Sequence, residues 1–236
     1  MITRLSKKSM ISIIVPVYNE AESIGGFINF IKANTFRNDT ELIIVDGGSS
    51  DSTVELCIDL GVNVQQSPKN GRASQLNYGI KQAKGEILYF LHADSYPPKS
   101  FEKDIIESLN LGFVAGCYRL AFQPNHPLLR IYGWFTRFDL NIFRFGDQSL
   151  FVRKKDIKKI GCYDDSLIVM EDQQVVRDLK KNGRFIIVPK KISTSSRKYF
   201  KVGVLKLQLV FAIIVVLYYL NVSQRTIADF YTNQIK

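Results

Sequence analysis

The sequence is poor in the residues that build disulfide frameworks and metal clusters. Its three cysteines, Cys57, Cys117 and Cys162, lie far apart and form no C-x-x-C pair. Its two histidines, His92 and His126, are too few for a multi-histidine centre. This composition disfavours a disulfide scaffold or a zinc–cysteine site and indicates a reducing compartment.

Two common nucleotide-binding fingerprints are also missing. No G-x-G-x-x-G follows the first apolar run, and no G-x-x-x-x-G-K-[ST] occurs anywhere. A dinucleotide dehydrogenase and a P-loop enzyme are therefore disfavoured. A nucleotide would instead need polar side chains at strand ends and a divalent cation for its phosphates.

The longest uninterrupted apolar run, residues 209–220, has 12 residues within the apolar stretch 204–220. A membrane-spanning helix needs about 20 apolar residues. The length therefore favours a buried or interface-lying helix over a span. The N-terminus also lacks the apolar region and cleavage site of a signal peptide, so we expect no secretion and predict a cytoplasmic location.

The 236 residues suit one large domain, or one domain with an appendage, and the formal net charge is +10. Such a charge favours an anionic partner, namely nucleic acid, a membrane surface or a phosphorylated substrate. The basic residues are scattered and no nucleic-acid recognition motif is present, so a nucleic-acid partner is not expected.

Buried β-branched runs alternate with helical patterns over the first 95 residues, which predicts an α/β fold with a mostly parallel sheet and helices on both faces. The second half of the chain adds three strands and an amphipathic helix. The predicted strands are 11–17, 41–46, 62–67, 86–91, 113–122, 148–154 and 184–189, and the main predicted helices are 23–33, 71–85 and 171–183.

Polar clusters follow three of these strands: Tyr18-Asn19-Glu20, residues 46–49 (DGGS), and His92-Ala93-Asp94. Each alone reads equally well as an ordinary turn. Ligands of open α/β sheets, however, bind beyond the carboxyl ends of the strands. Three such clusters in succession predict a ligand site at this edge, where Asp94 can offer a carboxylate to a hard cation that bridges diphosphate oxygens.

Four segments resemble glycosyltransferase family 2, whose members are inverting enzymes of the GT-A fold that use nucleotide sugars. They are SIIVPVYNEAESI, ELIIVDGGSSDST, GRASQLNYGIKQAKGEILYFLHAD and GCYDDSLIVMEDQQVVRDLKKNG, and the likeness covers about residues 10–190. The details VDGGSSD, LHAD and GDQSLFVRK look most like a small bacterial subgroup labelled arsenosugar-biosynthesis-type glycosyltransferases.

The resemblance implies a nucleotide-sugar site, with a UDP-sugar as the expected donor. Gly47 stands where the family often has an aspartate that contacts uracil, so the base contact differs here. The residues implied to lie around the nucleotide are Pro16, Tyr18 and Glu20 in the nucleoside pocket, Asp46 beside the base or ribose, and Arg72 and Asn77 at a helix start.

The family's Asp-x-Asp metal motif falls on His92-Ala93-Asp94. Asp94 matches the aspartate that binds the divalent metal, Mg²⁺ or Mn²⁺. His92 replaces the other aspartate, and a neutral imidazole can hydrogen-bond a ribose hydroxyl or a water. Direct ligation of Mg²⁺ by His92 is less expected, because imidazole prefers softer metals.

Asp172, next to Glu171, matches the family's catalytic base. The resemblance implies a single displacement in which this carboxylate takes the proton of the acceptor hydroxyl. Taken alone, the two acids read as partners of a helix dipole. Asp147 is a candidate acceptor contact and Arg197 a candidate diphosphate contact. A non-catalytic module that only binds the nucleotide sugar is the alternative.

We predict a GT-A domain at residues 1–195 and an apolar helical tail at 196–236. The tail and the aromatic segment 127–145 read either as packed core or as a surface for a membrane or a homodimer. If that segment is one helix, Arg130, Arg137 and Arg144 form a single stripe. The acceptor, lipid-linked or a small molecule, is not readable from the sequence.

Overall fold

The computed structural model describes residues 9–235 and contains one sheet of eight strands in the order β3-β2-β1-β4-β7-β6-β8-β5. The strands are β1 Ile11–Val17, β2 Thr40–Asp46, β3 Asn63–Gln66, β4 Ile87–Phe90, β5 Ser95–Tyr96, β6 Ala115–Gln123, β7 Leu150–Arg153 and β8 Phe185–Ser195. The helices are α1 Ala21–Asn34, α2 Thr53–Asp59, α3 Arg72–Gln82, α4 Phe101–Asn110, α5 Pro127–Phe135, α6 Lys154–Lys159, α7 Glu171–Asn182, α8 Arg197–Val202, α9 Val204–Tyr219 and α10 Gln224–Ile235.

The predicted α/β architecture is confirmed. Strands β1 to β4 pair in parallel, and β8 runs parallel to β6. Strand β7 lies antiparallel between β4 and β6, and the short β5, which the sequence did not indicate, pairs antiparallel with β8. The carboxyl ends of β1, β2 and β4 therefore meet at one edge, as the polar clusters require.

Helices cover both faces of the sheet, as predicted. Alternate residues of a strand point to opposite faces. Ile13 therefore belongs to the apolar cluster that includes α1 and α4, whereas Ile14 belongs to the cluster that includes α3 and α7. Gly79 of α3 lies against Ile14 so closely that a Cβ at this position would overlap the isoleucine side chain.

Strand β8 is longer than predicted. The sequence suggested an end at Pro189, but the pairing with β6 shifts register there, from Val188 opposite Tyr118 to Lys191 opposite Arg119. Proline lacks the N–H of a ladder and is tolerated at such a bulge. The strand therefore continues to Ser195 and carries the following residues to the edge where β1 and β4 end.

The arginine stripe does not form, because its condition, a single helix over residues 127–145, is not met. Helix α5 ends at Phe135, so Arg130 and Arg144 do not share a helix. Arg144 is 1% exposed, and its guanidinium donates to the carbonyl of Thr136 across 3.0 Å and to the carbonyl of Phe138. It satisfies buried carbonyl groups of the loop after α5, so it cannot face a membrane or solvent.

The tail packs on the rest of the protein through two apolar clusters. Tyr199 and Leu207 join the main apolar cluster, whereas Val210 and Ile214 of α9 form a smaller cluster with Met170, just before α7. Helix α9 has 16 residues. Within residues 9–235, none of the helices combines the length and apolar character that crossing a membrane requires.

Hydrogen bonds also tie the tail to the start of α7. Oε1 of Gln224 accepts from the backbone N–H groups of Ile168, at 3.0 Å, and Val169, at 3.1 Å. The Tyr218 hydroxyl donates to Gln174 across 2.6 Å. Met170, between these contacts, has a left-handed backbone with φ 69°. The tail therefore helps to fix the segment that carries Glu171 and Asp172.

Candidate active site

A cavity of about 940 Å³ opens at the carboxyl ends of β1 and β4. Nine of the predicted site residues lie around it, which places them in one site although they come from six separate segments of the chain. They are Pro16, Tyr18, Glu20, Arg72, His92, Asp94, Asp147, Asp172 and Arg197.

Arg72, at the start of α3, faces the two acids that begin α7. Its Nε lies 3.4 Å from Oε1 of Glu171, and its Nη2 lies 3.5 Å from Oδ2 of Asp172. Burial opposes the charge of Arg72, but the two carboxylates outweigh it and the pKa of Arg72 is raised. The guanidinium therefore stays charged and links the two helix starts at the cavity.

Gly146 is the point at which three charged or polar side chains meet. A Cβ built on this glycine would collide with Nη2 of Arg72, Oδ2 of Asp172 and Nε2 of His92. All three side chains therefore approach the backbone at residue 146 more closely than any larger residue would allow. Gly146 was not among the predicted site residues, because nothing in the segment FGDQ indicates close packing.

His92 is held by Asp147, whose Oδ1 lies 2.9 Å from Nδ1 of the imidazole. This hydrogen bond places the proton of a neutral imidazole on Nδ1 and leaves Nε2 as an acceptor. Nε2 is buried and has no hydrogen-bond partner within the described chain. Burial works to raise the pKa of Asp147, but the hydrogen bond and charge of His92 and the charge of Arg72 together lower it.

Asp94 lies two residues beyond His92 in a crowded acidic environment. Burial and then the charge of Asp147 raise the pKa of Asp94, although His92 acts in the opposite direction. A cation beside Asp94 would relieve this unfavourable charge. Across residues 9–235, no three or more His, Cys, Asp or Glu side chains are arranged to hold a metal by themselves.

The donor set nevertheless fits a cation that arrives with a diphosphate. Mg²⁺ in phosphate sites is commonly held by one or two carboxylates together with substrate oxygens. Asp94 supplies one carboxylate, and the unpartnered Nε2 of His92 supplies a nearby acceptor. The described side chains therefore do not form a metal centre by themselves, but they would suit a cation whose remaining ligands are phosphate oxygens.

Glu171 does not line the cavity but lies buried behind Asp172, with 5% of its surface exposed. Burial, and then the charge of Asp172, raise the pKa of Glu171 to about 7, against the effect of Arg72. Two adjacent acids thus differ in environment, and Asp172 is the one whose side chain reaches the cavity.

Two further predicted residues are turned away from the cavity. Asp46 is 1% exposed and accepts from the backbone N–H of Gly48, at 2.8 Å, and from the hydroxyl of Ser49, at 2.5 Å, so it shapes the turn after β2. The amide of Asn77 binds the backbone of Tyr163 on both its N–H and its carbonyl. The structure therefore gives both side chains partners within the protein.

Gln75 is a cavity residue that the sequence analysis missed. Its Nε2 donates to the carbonyls of Val17 and Val45, at 2.8 Å each, and so joins the ends of β1 and β2. A Cβ on Gly47 would lie 3.0 Å from Cδ of Gln75. Gln75 therefore occupies the space that a side chain at position 47 would need, which explains the glycine there.

Comparison with curated proteins finds related glycosyltransferase sequences. The chain is 33% identical over 180 residues to an uncharacterized glycosyltransferase of Rickettsia typhi, covering 69% of this chain and 56% of that protein. It is 27% identical over 175 residues to the glycosyltransferase AglE of Haloferax volcanii, covering 67% of this chain and 57% of that protein. The chain thus spans a little over half the length of these relatives.

Solved structures share the fold. The mannosyltransferase PcManGT from Pyrobaculum calidifontis, solved with GDP-Man and Mn²⁺, gives a TM-score of 0.68 at 18% identity, covering 86% of this chain and 62% of that chain. TarS of S. aureus, solved with UDP, gives a TM-score of 0.66 at 20% identity, covering 86% and 65%.

A family model described as glycosyl transferase family 2 matches residues 12–160, which include the carboxyl ends of β1, β2 and β4. That range is well over half of the chain. The protein therefore belongs to glycosyl transferase family 2.

Proposed function

We propose that the protein is an inverting glycosyltransferase that moves a sugar from a nucleoside diphosphate sugar, most simply a UDP-sugar, to an acceptor hydroxyl. The observation that carries the proposal is the meeting of Asp172, Arg72 and His92 at Gly146 within the cavity. At this point the Asp172 carboxylate could remove a proton, the Arg72 guanidinium could stabilise the leaving diphosphate, and the His92 imidazole could accept a hydrogen bond.

The nucleoside end of the donor would lie along Pro16, Tyr18 and Glu20, which follow β1 and border the cavity. Gln75 stands beside Gly47 and offers its amide oxygen to the base. This arrangement replaces the aspartate contact expected for uracil. The identity of the base is therefore part of the proposal. UDP-sugars and GDP-sugars are the donors to compare first, because TarS was solved with UDP and PcManGT with GDP-Man.

Asp94 would hold the divalent cation, Mg²⁺ or Mn²⁺, through its carboxylate. When bound, the cation supplies positive charge that stabilises the leaving diphosphate. Arg72 adds a fixed positive charge on the same side, and Arg197 is the further candidate contact to the diphosphate.

Asp172 would act as the base. It removes the proton of the acceptor hydroxyl while that oxygen bonds to the anomeric carbon, and the bond from this carbon to the diphosphate oxygen breaks on the opposite face. The charge balances because the proton leaves with Asp172 and the electron pair with the diphosphate. Arg72 holds the Asp172 carboxylate in position, and Asp147 contributes through His92.

Incubation with Mn²⁺, a panel of nucleotide sugars and candidate acceptors tests the function through the release of free nucleoside diphosphate. Metal-dependent release that increases with an acceptor supports it. Donor binding without turnover, for every donor and acceptor tried, would favour a module that binds nucleotide sugar without catalysis. The finer assignment to the arsenosugar-biosynthesis-type subgroup and the cytoplasmic location belong to the same proposal.

A further inference from the structure

The cavity has a second wall whose chemistry differs from that of the donor side. It is made of aromatic and aliphatic side chains from α5, the loop before β7, and the tail helices. These are Tyr132, Phe145, Tyr199, Leu207, Phe211 and Tyr231. A nucleotide sugar has no apolar surface of this extent, so the wall is suited to the other substrate.

Cations stand beside this apolar wall. Lys198 and Lys201 both border the cavity, and Nζ of Lys198 lies 4.7 Å from the centre of the Tyr231 ring. Arg197 is already paired with Glu22, at 2.8 Å. Lys201 has no ion-pair partner in the described part of the chain and is exposed. The second wall therefore pairs an apolar surface with positive charge, which fits an apolar chain next to an anionic group.

Helix α9 carries this apolar character to the outside of the protein. Its inner side places Leu207 and Phe211 at the cavity, whereas its outer side exposes Leu205, Leu209 and Val216 at 71%, 63% and 55%. These outer residues are spaced four and seven apart and so form one stripe. A helix that has apolar residues on its outer face as well as its inner face is normally covered by protein or lipid.

Helix α5 shows the same arrangement on the other side of the wall. Tyr132 borders the cavity, whereas Ile131, Trp134 and Phe135 are exposed. The guanidinium of Arg137 lies 4.5 Å from the centre of the Trp134 ring. Tryptophan with arginine on an exposed apolar face is typical of protein surfaces that meet the lipid headgroup region.

Aromatic contacts connect the two helices through the wall. The Tyr132 and Phe145 rings lie 6.3 Å apart, and the Phe145 and Phe211 rings lie 6.4 Å apart. The wall therefore lies between two exposed apolar surfaces, and a chain on it can continue into whatever covers them.

The charges around these surfaces favour lipid over a second copy of the chain. Four basic residues in or next to α5 and α9 are exposed, namely Arg130, Arg137, Lys201 and Lys206. Asp139, the acid within residues 127–145, is bound by Lys180 at 2.5 Å. A twofold contact would bring like charges together, whereas an anionic lipid surface is complementary to them.

We propose that the acceptor is an amphiphile, with an apolar chain and an anionic group next to the reacting hydroxyl, taken from a lipid surface on which α5 and α9 dock. The apolar chain lies against Phe145 and Phe211, and Lys201 faces the anionic group. This inference rests on the proposed function, because the amphiphile is the second substrate of that transfer.

The single tryptophan, Trp134, reports docking directly. Vesicles of phosphatidylglycerol and phosphatidylcholine should shift its emission to shorter wavelength and carry the protein upward in flotation. In the double variant Leu205→Ser/Leu209→Ser, the fraction of protein that floats with the vesicles should fall at least about fivefold, because two exposed leucines no longer enter the apolar part of the bilayer. Leu111→Ser, which changes an equally exposed leucine on α4's end, is the matched control and should float normally.

Monomeric prenyl phosphates test the wall itself by calorimetry, without any turnover. Farnesyl phosphate should bind at least about tenfold more tightly than geranyl phosphate, because more carbon is buried, and far more tightly than inorganic phosphate. Lys201→Ser should weaken the binding of farnesyl phosphate several-fold and leave the binding of farnesol unchanged. Lys159→Ser, an exposed lysine on α6, removes the same charge elsewhere and should have no effect.

Several results would overturn the inference. Farnesyl phosphate that binds no better than inorganic phosphate would exclude the apolar wall as the acceptor site. A lipid-free dimer that Leu205→Ser/Leu209→Ser dissociates would assign the surface to a second copy. Transfer to a water-soluble acceptor without prenyl phosphate binding would refute this inference and leave the proposed function intact. Prenyl phosphate binding without turnover of any donor would contradict the proposed function, and the wall would then bind an amphiphile that is not an acceptor.

Discussion

His92 and Asp147 form a hydrogen-bonded pair, with Nδ1 of the imidazole 2.9 Å from Oδ1 of the carboxylate. The imidazole Nε2 is buried beside Gly146 without a hydrogen-bond partner within residues 9–235. Asp147 thus determines that the proton of a neutral imidazole lies on Nδ1 and that Nε2 is the acceptor.

The tautomer of His92 gives a first prediction. At about pH 8.5, where an ordinary imidazole is neutral, ¹⁵N NMR should show the proton of His92 on Nδ1. His126 is an internal control, because its Nδ1 accepts from the N–H of Leu128 and its proton should therefore sit on Nε2. The chain has no other histidine to confuse the two signals.

Asp147→Asn should move the His92 proton toward Nε2, because an amide can donate to Nδ1. We expect kcat to fall about tenfold or more, with a smaller change in donor affinity. A wild-type spectrum in which both histidines carry the proton on Nε2 would contradict the assigned role of Asp147.

Gly146→Ala should lower kcat by about 10²-fold, since small displacements at a reacting centre are costly. The added methyl group would force Arg72, His92 and Asp172 apart. Gly25→Ala is the control, because it lies within α1 with no atom near its added Cβ. It should keep full activity and add about 0.5–1 kcal/mol to the free energy of unfolding. Equal activity of both variants would refute the close packing at Gly146.

The α/β order and the polar residues after β1, β2 and β4 follow from local patterns in the sequence, whereas Arg72 and Asp172 were expected from the family resemblance. Apolar runs mark buried strands, and polar residues after them mark the ligand edge. Gly146 and Gln75 were missed because their roles come from long-range packing. Gly146 meets side chains from the loop after β4, from α3 and from α7, and Gln75 links the ends of β1 and β2.

The arginine stripe failed for a related reason. Spacing by seven implies a stripe only along a continuous helix, and α5 ends at Phe135. Beyond that point, the carbonyls of Thr136 and Phe138 needed a donor, which Arg144 provides. The extension of β8 past Pro189 was equally unreadable, because only pairing with β6 reveals the bulge.

The raised pKa of the buried Glu171 leads to a prediction of how the free energy of unfolding depends on pH. The unfolded chain releases this proton near 4.5, whereas the folded protein retains it to about 7. The stability that the protonated group contributes is therefore complete below pH 4.5 and is lost as pH rises through 7. Glu171→Gln has no such proton to lose.

The free energy of unfolding of the wild type, minus that of Glu171→Gln, should therefore fall by about 3 kcal/mol between pH 4 and pH 8. Chemical denaturation at several pH values measures it. Glu55→Gln, an acid in the first turn of α2, is a control that should show no such fall. A difference independent of pH would contradict the buried protonated state.

The hydrogen bonds of Gln224 lead to a prediction about how the tail holds the loop before α7. Gln224→Ala removes the acceptor of two backbone N–H groups, at residues 168 and 169. Exchange of these two amides with deuterium should become faster, and stability should fall by about 1 kcal/mol. Asn233→Ala, an exposed change on the same helix, is the control. Unchanged exchange would show that the loop before α7 is held by other contacts.

The base assignment is the centre of the account, and one pair of measurements on Asp172→Asn tests it. Its kcat for transfer should fall by about 10²–10⁴-fold, whereas calorimetry with donor and Mn²⁺ should give a Kd within about threefold of the wild type, since only the transition state uses the base. Asp178→Asn, a change on the same helix beside Lys181, should keep its activity. Transfer by Asp172→Asn at the wild-type rate would contradict the account.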